Sequence, residues 1–185
     1  MSTRREQILA TAAELFAARG FHGVSVAELG AACGMSGPAL YRHFPSKDAM
    51  LADMLVSISE ELLAVGRLRV TSAEAPARAV RALVEWHIDF ALAHEALIVV
   101  QDRDWASLPS QARERVRSLQ RRYVELWVRQ LRKVHPELTS KQARAMAHVA
   151  FGLINSTPHS ARLSEEQMRA LLRQMALRAL DVLGS

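Results

Sequence analysis

Residues 25–51, SVAELGAACGMSGPALYRHFPSKDAML, decide the fold. Ser25 and Glu28 form a capping box: the hydroxyl satisfies the amide of the third helical residue, and the carboxylate reaches back to the cap amide. A helix therefore opens at Ser25, and Gly34 ends it, because glycine tolerates the left-handed backbone that closes a helix. Ser36 caps a second short helix. Pro38 is harmless in its first turn, and Pro45 forbids continuation. Two short helices separated by Gly34 and Met35 read as a helix-turn-helix.

On the N-terminal side, Ile8, Leu9, Ala12, Leu15 and Phe16 recur at helical spacing from about Arg4 to Arg19, and Gly20 stops them. On the C-terminal side, Ser46 caps a longer helix striped by Met50, Leu51, Met54, Leu55, Ile58, Leu62 and Val65, expected to end near Gly66, with residues 67–76 as a connection. Beyond Pro76, Ala79, Val80, Leu83, Trp86, His87, Phe90, Ala91 and His94 mark an amphipathic helix, and Ala96 to Asp104 a short one. Pro109 and Ser110 open an Arg-rich helix whose apolar line is Val116, Leu119, Tyr123, Leu126, Trp127, Leu131 and Val134. Capping boxes at Thr139/Gln142 and Ser164/Gln167 open the last two helices. Residues 143–154 are apolar around most of their circumference, and Met168, Leu171, Leu172, Met175, Ala179, Val182 and Leu183 form a broad face. That is more apolar surface than one small core absorbs, so the last two helices, about 140–183, are expected to pair with a second copy.

Composition agrees. Of 185 residues 30 are Ala and 8 Gly, and aromatic residues make up 5%. This balance favours helix, so the expected fold class is all-α, about nine helices. A single Cys33 excludes a disulfide framework and Cys-rich zinc modules. Charges interrupt the N-terminus at Glu6, Glu14 and Arg19, and no run reaches about 18 apolar residues, so neither an export signal nor a membrane span is read and the expected location is the cytoplasm. The net charge is +5, yet residues 1–48 carry only +1 and residues 113–133 carry +6, so charge alone does not locate a nucleic-acid surface.

The stretch GMSGPALYRHFPSKDAML, with Leu40, Tyr41, Arg42, His43, Phe44, Ser46 and Lys47 in this order, resembles the TetR family of bacterial one-component repressors; the likeness runs from about Arg4 to Leu55. The resemblance implies a helix-turn-helix DNA-binding domain at residues 1–48 and an effector-binding and dimerisation domain at 49–185. It implies a homodimer whose recognition helices enter successive major grooves of a palindromic operator, roughly 34 to 36 Å or a multiple apart. Carried over by position, Gly37, Pro38, Ala39 and Tyr41 meet base edges, Tyr41, Arg42, His43 and Lys47 meet phosphates, and the helix end at Ser25 and Val26 abuts the backbone. Gly37 and Ala39 bring no hydrogen-bonding side chain, so direct readout falls to Tyr41, Arg42 and an apolar contact of Pro38 with a thymine methyl. Lys47 in a first helical turn opposes the helix dipole, a placement that a phosphate would repay. Leu40 and Phe44 read as core, and His43 equally suits a helix C-terminus.

The resemblance also implies a small-molecule effector that shifts the dimer between DNA-competent and incompetent states, with the helix from Ser46 as lever. Candidate pocket residues are Trp86, His87, Phe90, Trp105, Tyr123, Trp127 and Phe151. Arg115, Arg122, Arg129 and Arg132 form a stripe, while Arg117 and Arg121 flank the apolar line. The stripe reads either as a solvated face or, with Arg122 at the pocket mouth, as recognition of an acyl-CoA-like or other anionic, lipophilic effector. His87 and His94 lack the His-x-x-x-His spacing of a helical metal site, so neither metal nor cofactor is expected. No G-x-S-x-G, P-loop, G-x-G-x-x-G or paired Cys occurs, so an enzyme is not expected. A helical protein-interaction module remains the other alternative, and it predicts no salt-dependent DNA affinity.

Overall fold

The structure, a computed structural model, describes residues 3–160 and 163–182. Among them are ten α-helices and no strand: α1 Arg4–Arg19, α2 Val26–Ala32, α3 Gly37–Tyr41, α4 Lys47–Thr71, α5 Pro76–Ala93, α6 Glu95–Asp104, α7 Ser110–Val134, α8 Ser140–Ile154, α9 Thr157–Ser160 and α10 Glu165–Ala179. A 3-10 turn, Trp105–Ser107, follows α6. The fold is all-α as expected, and the single-turn α9 is the element that periodicity did not reveal.

The chain forms two compact units. One runs up to Ile58 and takes in Ala96–Arg117; the other comprises Ser59–Glu95 and the chain from Ser118 on. In the first unit, most of α6 and the start of α7 fold with the N-terminal helices. In the first unit, Ile8, Ala12 and Phe16 of α1, Leu29, Leu40, Phe44 and the α4 residues Met50, Leu51, Met54 and Leu55 share one core, which Val100, Leu108 and Val116 complete. Burying a side chain such as Phe16 contributes roughly 1.5–3 kcal/mol. The turn inside the motif requires glycine: a Cβ on Gly30 would lie 2.8 Å from the Met35 carbonyl oxygen. Gly20 and Gly34 take φ of 81° and 65°, as helix-ending glycines do.

In the second unit α10 packs on α5 and α8, over a core containing Leu83, Val84, Ile88, Trp127, Leu131, Ala147, Ala150 and Ile154. Here α4 departs from expectation, running past Gly66 to Thr71. Gly66 is not a helix stop. A Cβ there would sit 2.7 Å from Cε2 of Tyr123, so the glycine lets an aromatic ring approach the helix backbone. The α8–α10 side leaves Val149 (61% exposed), Leu171 (41%) and Met175 (47%) uncovered. Leu183, expected on the same face, lies outside the described residues. No helix of the described chain is long and apolar enough to cross a membrane.

Candidate nucleic-acid interface and effector site

The short α3 shows how sequence sets a reading face. Ser36 caps it by accepting from the Ala39 amide (3.4 Å), and Leu40 (2% exposed) and Phe44 turn into the core. With those two residues inward, Pro38, Tyr41 and Arg42 point to solvent, Gly37, Ala39 and His43 are half-buried, and Tyr41 is 51% exposed. The end of α3 is held from α1: Arg5 donates to the His43 carbonyl (2.6 Å), pairs with Asp53 (3.1 Å) and lies over the Phe44 ring. Arg4 donates to the Cys33 carbonyl at the end of α2 (2.6 Å). Both helices of the motif are therefore anchored by cations that sequence reading did not single out; the signal was two adjacent arginines in the first turn of α1.

Two of the expected phosphate contacts already have protein partners. Lys47 Nζ donates to the carbonyls of Phe21 and Val24, each at 2.7 Å, and sits 4.5 Å from the Phe21 ring centre. Its position in a first helical turn is thus repaid by loop carbonyls, with one N–H left over. At the start of α2 the Ser25 amide and hydroxyl both donate to Glu28 (2.8 and 2.7 Å), and Glu28 also pairs with Arg19 (2.7 Å). The hydrogen bonds from Ser25 and Arg19 hold the Glu28 carboxyl at a pKa of about 2, so a carboxylate occupies the Ser25 end of the helix, where an anion was expected. Val26 beside it is half-buried against the core.

Six of the eight expected pocket residues meet in the second unit around His87. Its ring stacks on Phe151 (4.7 Å between centres), Tyr123 (5.7 Å) and Phe90 (6.0 Å) and stands edge-on to Trp127 (6.0 Å); Trp86 joins through Phe90. His87 is buried with both nitrogens engaged. Nε2–H donates to Asn155 Oδ1 (3.2 Å), which leaves Nδ1 to accept from the Tyr123 hydroxyl (3.3 Å). Burial lowers the His87 pKa to about 4 despite the Asn155 bond, so the imidazole is neutral at physiological pH, and burial likewise raises that of Tyr123. The Trp86 indole donates to the Leu62 carbonyl (3.1 Å). Trp127 is fully buried, with its indole N–H beside the Tyr123 hydroxyl.

The other two residues lie apart from this cluster. Trp105 packs on the core of the first unit under the Arg117 guanidinium, and Arg122 is exposed on α7. Within the same stripe, Arg132 donates to the Leu138 carbonyl and Ser140 Oγ, both at 3.2 Å, so part of the stripe fastens the α7–α8 connection. Asn155, which ends α8, was missed: an Asn after an apolar run reads as a helix cap, and only folding brings it beside His87. A cleft of about 550 Å³ opens elsewhere in this unit, lined by Val65, Leu68, Arg69, Ser72, Glu74 and Arg78 among others. Among the described residues no group of three or more His, Cys, Asp or Glu side chains could hold a metal ion.

The comparisons with known proteins agree with this architecture. Residues 8–54 match the family model for bacterial regulatory proteins of the tetR family, and residues 73–180 match the tetracyclin repressor-like C-terminal domain. The HTH-type transcriptional repressor KstR2 of Rhodococcus jostii (strain RHA1) is 29% identical over 128 residues, covering 69% of this chain and 63% of the relative, so the chain spans less than two thirds of that protein's length. The structure of the TetR-family regulator PfmR from Thermus thermophilus superposes with a TM-score of 0.85 at 24% identity over 100% of both chains. That of AibR in complex with isovaleryl coenzyme A and operator DNA superposes with a TM-score of 0.72 at 22% identity over 94% of this chain and 97% of that one. With one model on the reading head and a second covering more than half of the sequence, the chain belongs to the TetR family of bacterial regulatory proteins.

Proposed function

We propose that the protein is a ligand-responsive, DNA-binding transcriptional repressor that acts in the cytoplasm as a homodimer and is released from a palindromic operator by a small molecule. Residues 1–48 form its DNA-binding domain, and 49–185 its effector-binding and dimerisation domain. The observation that carries this reading is α3, five residues long, capped at its start and anchored at its end by Arg5, with Leu40 and Phe44 buried and Pro38, Tyr41 and Arg42 turned outward. Gly37, Ala39 and His43 border that face. Lys47 offers its remaining N–H to a phosphate, and Ser25 and Val26 meet the backbone at the next turn.

Dimerisation through α8 and α10 rests on Val149, Leu171 and Met175, which water would otherwise cover. The effector site is the ring cluster of Trp86, His87, Phe90, Tyr123, Trp127 and Phe151, and the relative solved with an acyl-coenzyme A and operator DNA supports a lipophilic effector class. Both α4 and α7 contribute residues to both compact units, so a change at the effector site has a covalent route to the reading head.

The test is selection of duplexes from a random pool by the purified protein at near-physiological salt. A palindromic consensus, bound with an affinity that falls steeply as salt rises, is the expected result. No enrichment, or an affinity indifferent to salt, would favour the protein-interaction module instead.

A further inference from the structure

Resting on the regulator reading, we infer that Arg5 and Asp53 are positioning residues for α3. They fix the direction in which the short helix presents Tyr41 and Arg42, and so set how sharply the protein tells its operator from other duplexes.

Isolated helices of fewer than about 12 residues are marginal in water, so the five-residue α3 takes its orientation from what holds it. Ser36 caps its start, and Leu40 turns into the core. Past its end, Arg5 of α1 donates from Nη1 to the His43 carbonyl at 2.6 Å and from Nε to Asp53 of α4 at 3.1 Å, while its guanidinium lies 4.1 Å from the centre of the Phe44 ring. One planar group thus ties the peptide beyond α3 to two longer helices. Guanidinium donors sit in a rigid fork, so a carboxylate on one nitrogen fixes where the other nitrogen points, and with it the carbonyl that nitrogen holds. Tyr41 and Arg42 are the two residues immediately before that carbonyl, so any swing of the end of α3 carries both of them with it.

The exposure of the pair separates positioning from stability. The Arg5 and Asp53 side chains are 50% and 35% exposed, and an ion pair so open to water adds little to the stability of a fold. Reading a base is more demanding. Hydrogen bonds to base edges weaken steeply once their angles are wrong, whereas phosphate contacts hold any duplex. A loosened α3 therefore loses discrimination between sequences well before it loses affinity for DNA as such.

The test titrates the full chain, Arg5→Met, Asp53→Ala and the double variant by fluorescence anisotropy against the duplex selected from a random pool and a scrambled duplex of equal length, at one salt concentration. The ratio of the two affinities is expected to fall about tenfold in Arg5→Met and about threefold in Asp53→Ala. The double variant should fall no further than Arg5→Met, because Asp53 acts through the Arg5 fork. Thermal melting reports the folded fraction; a purely structural loss weakens both duplexes equally and leaves the ratio where it was, which would overturn the inference. Charge alone also gives a different result: Arg5→Met would weaken and Asp53→Ala would strengthen both duplexes, again at constant ratio. A constant ratio with a salt slope shallower by about 0.9 per protomer in Arg5→Met would make Arg5 a phosphate ligand instead. Additive losses in the double variant would refute action through one fork. A parent protein that selects no consensus refutes the regulator reading and this inference with it, whereas a parent that selects one, with variants that keep its ratio, refutes this inference alone.

Discussion

Replacing Lys47 by Met separates a structural from a DNA-binding role at one residue. Methionine keeps an unbranched apolar stem against Phe21 but removes the ammonium that serves the Phe21 and Val24 carbonyls at 2.7 Å each. A hydrogen bond to a charged group contributes about 1.5–3 kcal/mol, and water takes over part of that at a half-buried site, so a loss of about 1–2 kcal/mol for the two together is expected. In a domain of this size that lowers the melting temperature by roughly 2–8 °C, read by thermal and urea unfolding. The same variant carries the second readout. If the remaining N–H of Lys47 meets a phosphate, the slope of log affinity against log salt becomes shallower by about 0.9 per protomer. Unchanged melting together with the shallower slope would show that the ammonium serves DNA alone and that the two carbonyl bonds do not hold the loop between α1 and α2. Lower stability with an unchanged slope would remove Lys47 from the DNA contacts.

Four further outcomes are expected. Tyr41→Ala should blur sequence preference in duplex selection and leave the melting temperature within about 2 °C of the parent, because the ring is half exposed. Gly66→Ala should destabilise by about 1–2 kcal/mol in urea unfolding, since a gain of about 1 kcal/mol in helix propensity is outweighed by a Cβ set 2.7 Å from a Tyr123 ring that His87 and Phe151 hold in place; a stabilised variant would contradict this packing. His87 takes a proton at about 6.5 when unfolded and about 4 when folded, so stability should fall as pH drops through that window, by up to about 3 kcal/mol; His87→Leu should flatten that slope in part, since burial lowers the His94 pKa as well. Met175→Arg should give a monomer in light scattering and lose operator binding together with it; a stable dimer would move the interface away from α10.

How much of this was legible in the sequence differs between the two sites. The helix-turn-helix is specified by neighbours in the chain: Ser25 finds Glu28, Ser36 finds Ala39 and Gly34 turns the backbone, all within four residues, so caps and breakers disclose the reading face before any folding is considered. The apolar stripes likewise determined the helices and the all-α class. Where the reading went astray, the deciding partner was remote. Gly66 reads as a stop until the Tyr123 ring, 57 positions on, is seen lying against it, and the Phe21 and Val24 carbonyls that Lys47 serves are more than twenty positions before it.

The ring cluster proposed as the effector site belongs almost wholly to that second kind. Trp86, His87, Phe90, Tyr123, Trp127 and Phe151 were legible as candidate pocket residues, but nothing in the sequence separated them from Trp105, which lies in a 3-10 turn and packs in the other unit. Nor could it provide Asn155, which a local reading makes a helix end and the tertiary structure makes the partner of His87. Local hydrogen bonds and helical period are properties of adjacent residues and are written in the sequence. The neutrality of His87, its bonds to Tyr123 and Asn155 and the close approach at Gly66 depend on which helices exclude water from which side chains, and only the folded chain decides that.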